Sequence, residues 1–235
     1  MHILDLTLPS AAANLACDEA LLDACDEGDG PEVLRFWEPR EYFAVAGYAN
    51  ELARELNLPA CHEAGLIIYR RCSGGGAVLQ GPGCLNYSLV LKIGGPLETI
   101  TGANRHIMER QREASAAVLD GAVEVKGCTD LARNGLKFSG NAQRRKRRAL
   151  LFHGTFLLQF DLGLMERFLT MPSRQPDYRA SRPHQRFVMN MDVAASELKE
   201  SLREIWKARE PLPEAPDCKK LAAEKYSRDE WNLKF

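Results

Sequence analysis

The residues best equipped to do chemistry fall in two short stretches. The first is Arg70-Arg71-Cys72-Ser73-Gly74-Gly75-Gly76-Ala77-Val78, directly after a predicted strand. Three consecutive glycines open backbone conformations closed to other residues and remove side chains that would keep a ligand off the main-chain amides. Such a loop can cradle a phosphate or carboxylate, and adjacent guanidinium groups offer bidentate donors to the same anions. A plain tight turn beside a surface arginine pair would use the same residues. No Gly-Lys-Ser/Thr follows, and the spacing is not Gly-x-Gly-x-x-Gly, so two common nucleotide motifs are absent. Gly81-Pro82-Gly83-Cys84 punctuates the chain again a few residues later.

The second stretch runs from Asp130 to Gln143. Asn134-Gly135 is a hairpin signal that puts Lys137 just inside the returning strand, and Ser139-Gly140-Asn141 reads as a further turn or bulge. A lysine so placed either points inward to an anion or faces solvent. His153-Gly154-Thr155 follows at an expected strand start, where a buried hydrogen-bonded histidine is the plain reading. Between them, Arg144-Arg145-Lys146-Arg147-Arg148 reads as the tip of a hairpin, with docking of an acidic partner as the alternative and nucleic acid disfavoured. Cys72, Cys84 and Cys128 all lie near these motifs, so a thiol nucleophile is open.

The elements that must position these residues read as α+β. Ser10 caps a helix carrying Ala11, Leu15 and Leu22 that ends near Gly28. Leu34–Trp37 and Tyr42–Ala46 read as a hairpin across Glu38-Pro39-Arg40; Leu66–Tyr69 and Leu85–Leu91 read as further strands. Helical spacing returns over residues 102–119, and strand character at 123–125 and 150–160. A short helix is predicted around Leu164–Leu169 and a longer one around Leu198–Ile205, with 176–184 as a loop near the site. Because strands come in runs, a mixed, largely antiparallel sheet with helices on one face is expected rather than a doubly wound fold.

Composition narrows the class. The chain has 235 residues, 45% of them hydrophobic, enough to bury a substantial core. With 31 Lys plus Arg against 32 Asp plus Glu, the net charge of -1 gives no general attraction to nucleic acid or anionic membrane. No apolar run is long enough to span a bilayer, and Met1–Asp5 lacks the start of a signal peptide. Seven cysteines without a Cys-x-x-Cys pair suggest neither a disulfide framework nor a zinc knuckle, and a reducing cytoplasm is expected.

The two stretches in this order, followed by His153-Gly154-Thr155, resemble the lipoate-protein ligase family, which shares one catalytic fold with octanoyltransferases and biotin-protein ligases. The resemblance extends from Asn14-Leu15-Ala16 through Gly47 to Glu230-Trp231-Asn232. It implies a biotin/lipoate protein ligase-like catalytic domain that activates lipoate with ATP and Mg²⁺ and passes the lipoyl group to a lysine. The implied partner is a lipoyl-acceptor domain, of the 2-oxoacid dehydrogenase E2 or glycine cleavage H protein type. By motif match, Arg71, Ser73, Gly74, Gly75 and Gly76 with the main chain of Ala77, Val78 and Leu79 would bind nucleotide and acyl phosphate. Lys137 would bridge the acyl carbonyl and phosphate oxygens. Metal ligands are not assigned, although Asp130 is a candidate. An apolar slot burying about six methylenes at ~0.8 kcal/mol each would contribute roughly 5 kcal/mol.

The family's octanoyltransferases instead move octanoyl from acyl carrier protein through a cysteine acyl-enzyme, for which Cys128 and Cys72 are the candidates. Those of the cysteine type carry the nucleophile farther from the lysine than the nine residues separating Cys128 from Lys137. Thr129-Asp130 and Ser73-Gly74-Gly75-Gly76 look more like the ligase pattern, so ATP-dependent ligation is the first expectation and octanoyl transfer the second. Residues 1–235 are read as one catalytic domain with no C-terminal accessory domain, so a ligase of this form would need a separate accessory subunit.

Overall fold

The computed structural model describes residues 1–235. The Ser10 hydroxyl accepts the Ala13 amide at 3.1 Å, and Gly28, at φ 104°, closes helix α1 (Ala11–Glu27) in the left-handed region. Strands β1 (His2–Asp5) and β2 (Val33–Trp37) flank α1 and pair in parallel, making a βαβ unit.

From β2 the chain leaves for another sheet. Strand β3 (Phe43–Ala46) lies between β4 (Ile67–Arg70), parallel to it, and β5 (Val78–Gln80), antiparallel. The hairpin expected across Glu38-Pro39-Arg40 is thus corrected: β2 pairs with β1 and with β6 (Cys84–Lys92), and every residue of β2 is buried. Turn residues announce a change of direction but not which sheet receives the next strand. Two short helices, α2 (Leu52–Glu55) and α3 (Leu58–Glu63), fill the β3–β4 connection.

Helix α4 (Ile100–Val118) is followed by β7 (Glu124–Lys126), β8 (Asp130–Arg133), β9 (Leu136–Arg145) and β10 (Ala149–Leu157). Helices α5 (Gly163–Phe168), α6 (His184–Phe187) and α7 (Ala195–Trp206) precede β11 (Glu210–Pro211), and short helical turns occupy 219–232. The larger sheet runs β11-β1-β2-β6-β10-β9-β8-β7, parallel at the β11-β1-β2 end and antiparallel elsewhere.

Alternation along these strands sends side chains to two faces. Leu34, Phe36, Leu89, Phe152 and Phe156 pack under α4 and α7, whereas Val33, Trp37, Val90, Ala149 and Leu151 pack on α1. Helices therefore cover both faces, not the single face expected. A buried triangle stitches the two sheets together: Gln80 Nε2 donates to Thr155 Oγ1 (2.6 Å), Thr155 to Asn86 Oδ1 (2.6 Å), and Asn86 Nδ2 to Gln80 Oε1 (3.0 Å).

The β8–β9 turn is as expected, with Asn134 and Gly135 at φ 51° and 74°. Ser139-Gly140-Asn141 is not a turn but lies inside β9. The irregularity falls one residue earlier: Leu131 pairs with Ser139 and Ala132 with Lys137, leaving Phe138 as the extra residue of a bulge. His153 sits in the middle of β10, not at its start. Beside it, Gly154 faces Asn141, whose Nδ2 donates to Thr129 O (2.6 Å) and whose Oδ1 accepts the Tyr87 hydroxyl (2.6 Å). A Cβ on Gly154 would stand 1.7 Å from that Oδ1. Gly154→Ala is accordingly expected to cost about 1–3 kcal/mol in urea denaturation, and a loss below about 0.5 kcal/mol would show that Asn141 yields freely.

No helix is long and apolar enough to cross a membrane. None of the seven cysteines is paired, and six are buried.

Candidate active site

The glycine loop is shaped from within by Arg71. Its buried guanidinium donates to Gly74 O (2.7 Å), Gly76 O (2.8 Å), Val45 O (3.3 Å) and Ser73 Oγ (3.1 Å). Burial pushes its pKa down to about 10, opposed by Cys72 and Glu55. Loop carbonyls are thereby drawn inward, and the N–H groups of Gly74, Gly75, Gly76 and Ala77 have no acceptor within the chain. Arg71 builds the cradle, and the unpaired amides are what it offers to an anion. Gly47 lets the loop close on the end of β3, because a Cβ there would stand 2.1 Å from Gly75 O. Neighbouring Arg70 is fully buried and turned elsewhere, onto the carbonyls of Gly47, Tyr48 and Asn50.

Lys137 reaches from β9 to Asp130 on the neighbouring β8, with Nζ 2.7 Å from Oδ1. It lies over Gly140, where a Cβ would come within 2.7 Å of Nζ. The other Asp130 oxygen accepts the Tyr178 hydroxyl at 2.8 Å, and burial followed by the Asp130 charge raises the Tyr178 pKa. The tract 176–184 thus borders the lysine hairpin, with Arg182 donating to Gly135 O (3.0 Å), and beyond it Val188 bridges to Lys137. With both carboxylate oxygens engaged, Asp130 is poorly suited to hold a metal, and no cluster of three His, Cys, Asp or Glu residues is placed to do so. A cavity of about 490 Å³ lined by Leu56, Leu58, Leu169 and Thr170 includes neither Lys137 nor the loop.

The cysteines separate sharply. Cys72 points into the core against α1, and burial pushes its thiol up to about 12; Cys84 is likewise buried and raised to about 12. Burial thus disfavours the thiolate at both positions. Cys128 is exposed, on the turn between β7 and β8, two residues before Asp130.

The basic run does tip a hairpin, and much of it is engaged within the chain. Arg145 donates to Leu97 O and Glu98 O, Lys146 pairs with Asp23, and Arg148 holds the Asp26 and Glu27 carbonyls at the end of α1.

Sequence reasoning missed the support behind the loop. Ser73 Oγ lies 2.6 Å from His153 Nε2, and His153 Nδ1 faces Asp18 Oδ2 at 3.6 Å. Asp18 is ion-paired with Arg35, which also donates to Asn14 Oδ1 (2.6 Å) and Leu6 O (3.1 Å). Burial alone would raise the Asp18 pKa, but Arg35 and His153 outweigh it and hold the carboxyl below its usual range. The signal was legible: Asn14 and Asp18 lie eight and four residues before Leu22 on the buried side of α1, and Arg35 interrupts the apolar Val33–Trp37.

The sequence matches the Lipoyl protein ligase A/B catalytic domain over residues 10–205. It is 28% identical to octanoyltransferase LipM of Geobacillus kaustophilus, across 95% of this chain and 94% of that protein. Two solved structures superpose over 99% of the chain. One is of a bipartite lipoate protein ligase and its E2 lipoyl domain from Thermoplasma acidophilum, with TM-score 0.83, 26% identity and 95% of that chain covered. The other is lipoate-protein ligase A bound with ATP, with TM-score 0.82, 25% identity and 98% covered. Glycine loop, lysine hairpin and sheet order thus accompany a match across most of the sequence, and the chain belongs to the lipoyl protein ligase A/B catalytic domain family.

Proposed function

We propose that this protein transfers an eight-carbon acyl group, octanoyl, from a carrier-protein thioester to a lysine of a lipoyl-acceptor domain through an acyl-enzyme on Cys128. The observation that carries the reading is the placement of Cys128, the exposed cysteine, on the turn that leads into the Asp130–Lys137 pair. The likeness to octanoyltransferase LipM over nearly the full length supports it. In this scheme the Cys128 sulfur attacks the thioester carbonyl and expels the carrier thiol. Lys137 Nζ stabilises the oxyanion, and the acceptor lysine then displaces Cys128.

A second reading is favoured by the four unpaired loop amides, which suit a phosphate, and by the ATP-bound structural relative. In that reading Gly74–Ala77 bind the nucleotide, Lys137 bridges lipoate carbonyl and phosphate, Mg²⁺ accompanies the ATP, and a separate subunit completes the ligase.

One experiment separates them. Apo acceptor domain is incubated with octanoyl-acyl carrier protein without ATP, or with lipoate and MgATP, and acylation is read by mass spectrometry. Octanoylation without ATP, reduced at least about 10²-fold by Cys128→Ser, is the expected result. Acylation only with MgATP, insensitive to Cys128→Ser, would establish the ligase instead.

A further inference from the structure

Glu55, at the end of α2, is a carboxylate that neither mechanism uses. It is 5% exposed, and a buried carboxylate without full pairing is expensive to keep. One oxygen is accounted for: Oε1 accepts the hydroxyl and, at 3.4 Å, the amide of Ser173. Oε2 has no hydrogen-bond partner in the chain, yet it keeps contact with solvent. It faces the glycine loop, where a Cβ on Gly76 would stand 3.4 Å away. The Arg71 guanidinium is close enough to feel its charge but is directed to the loop carbonyls instead of pairing with it.

The same segment that holds Glu55 also reaches the lysine hairpin. Thr170 N donates to Glu55 O, His184 Nε2 contacts Thr170 O at 3.0 Å, and Tyr178 and Val188 reach Asp130 and Lys137. Residues 170–188 thus link the backing of Glu55 to the lysine hairpin, with the free Glu55 oxygen facing the glycine loop and the Lys137 ammonium over Gly140.

The acylation of lysine needs such an oxygen. A lysine ammonium has a pKa of about 10.4, so at pH 7 only about one side chain in 2,500 is the neutral nucleophile. We infer that Glu55 is the receptor for the acceptor lysine and the base that activates it. Oε2 hydrogen-bonds the incoming ε-ammonium and takes its first proton, which passes to solvent. The neutral nitrogen attacks the acyl carbonyl, the C–N bond forms as the bond to the leaving group breaks, and the second proton leaves with that group or to water. The inference rests on the lysine-acylation reading above, under either acyl donor.

The test compares wild type with Glu55→Gln, which retains the amide oxygen that accepts from Ser173. Acceptor acylation at pH 7 is expected to fall about 10²- to 10³-fold, with the deficit narrowing as pH rises toward the lysine pKa. Hydroxylamine, an amine already neutral at pH 7, replaces the acceptor in a parallel capture assay, where the deficit is expected to disappear. Equal acceptor acylation by wild type and variant would overturn the role of Glu55. So would a deficit that hydroxylamine and high pH leave unchanged, which would make Glu55 structural. Absence of acylation by wild type with every donor would instead overturn the lysine-acylation reading itself.

Discussion

Lys137→Ala is expected to slow acyl transfer by roughly 10²- to 10³-fold, the usual loss for one preorganised donor at a developing oxyanion. The structure shows how the preorganisation is achieved. The Phe138 bulge re-aims β9, Gly140 leaves room for the side chain, and Asp130 fixes Nζ at 2.7 Å while Tyr178 fixes Asp130. Lys137→Arg should restore little, because a planar fork cannot occupy the space of a compact ammonium. The check is single-turnover kinetics alongside a thermal melt. Near-wild-type turnover in a folded Lys137→Ala protein would remove the lysine from the chemistry.

Asp18→Asn is expected to cost about 3–5 kcal/mol, a fall in Tm on the order of 10 °C, because it leaves the wholly buried Arg35 without its counter-charge. The pH dependence gives this a signature. The Asp18 carboxyl is held below its unfolded value, so its contribution is fully present above that value, about 3.9, and is lost as pH falls through the depressed folded value. The stability gap between wild type and variant should therefore be widest at neutral pH and begin to narrow below about pH 3.9, as measured by urea denaturation from pH 7 down to 3. A constant gap would show that Asp18 acts by shape alone. The loop should suffer as well, since Asp18 backs the histidine that holds Ser73.

Features encoded by neighbours along the chain were legible in the sequence. Ser10 and Gly28 bound α1 as their chemistry requires, Asn134-Gly135 turned the lysine hairpin, and the glycine triplet opened a loop after a strand. What escaped were features depending on partners far away in sequence. The parting of β2 from β3 is decided by β6, and the partners of Arg35 and Ser73 arrive from residues 18 and 153. The reading of Arg71 shows the same limit. A guanidinium next to glycines suggests an anion ligand, but only the fold reveals that its donors are already taken by the loop.

The order of the large sheet bears on how the protein is made. Its central strand β6 must wait for β10, whose partner residue Ala149 follows Lys92 by more than fifty positions, and β1 at the start gains its outer neighbour only at Glu210. Such distant pairings fold slowly, because chain closure precedes the contacts that reward it. During synthesis the outer edge of the apolar strand β6 would stay unpaired until the β9–β10 hairpin emerges from the ribosome, which exposes the nascent chain to edge-to-edge association.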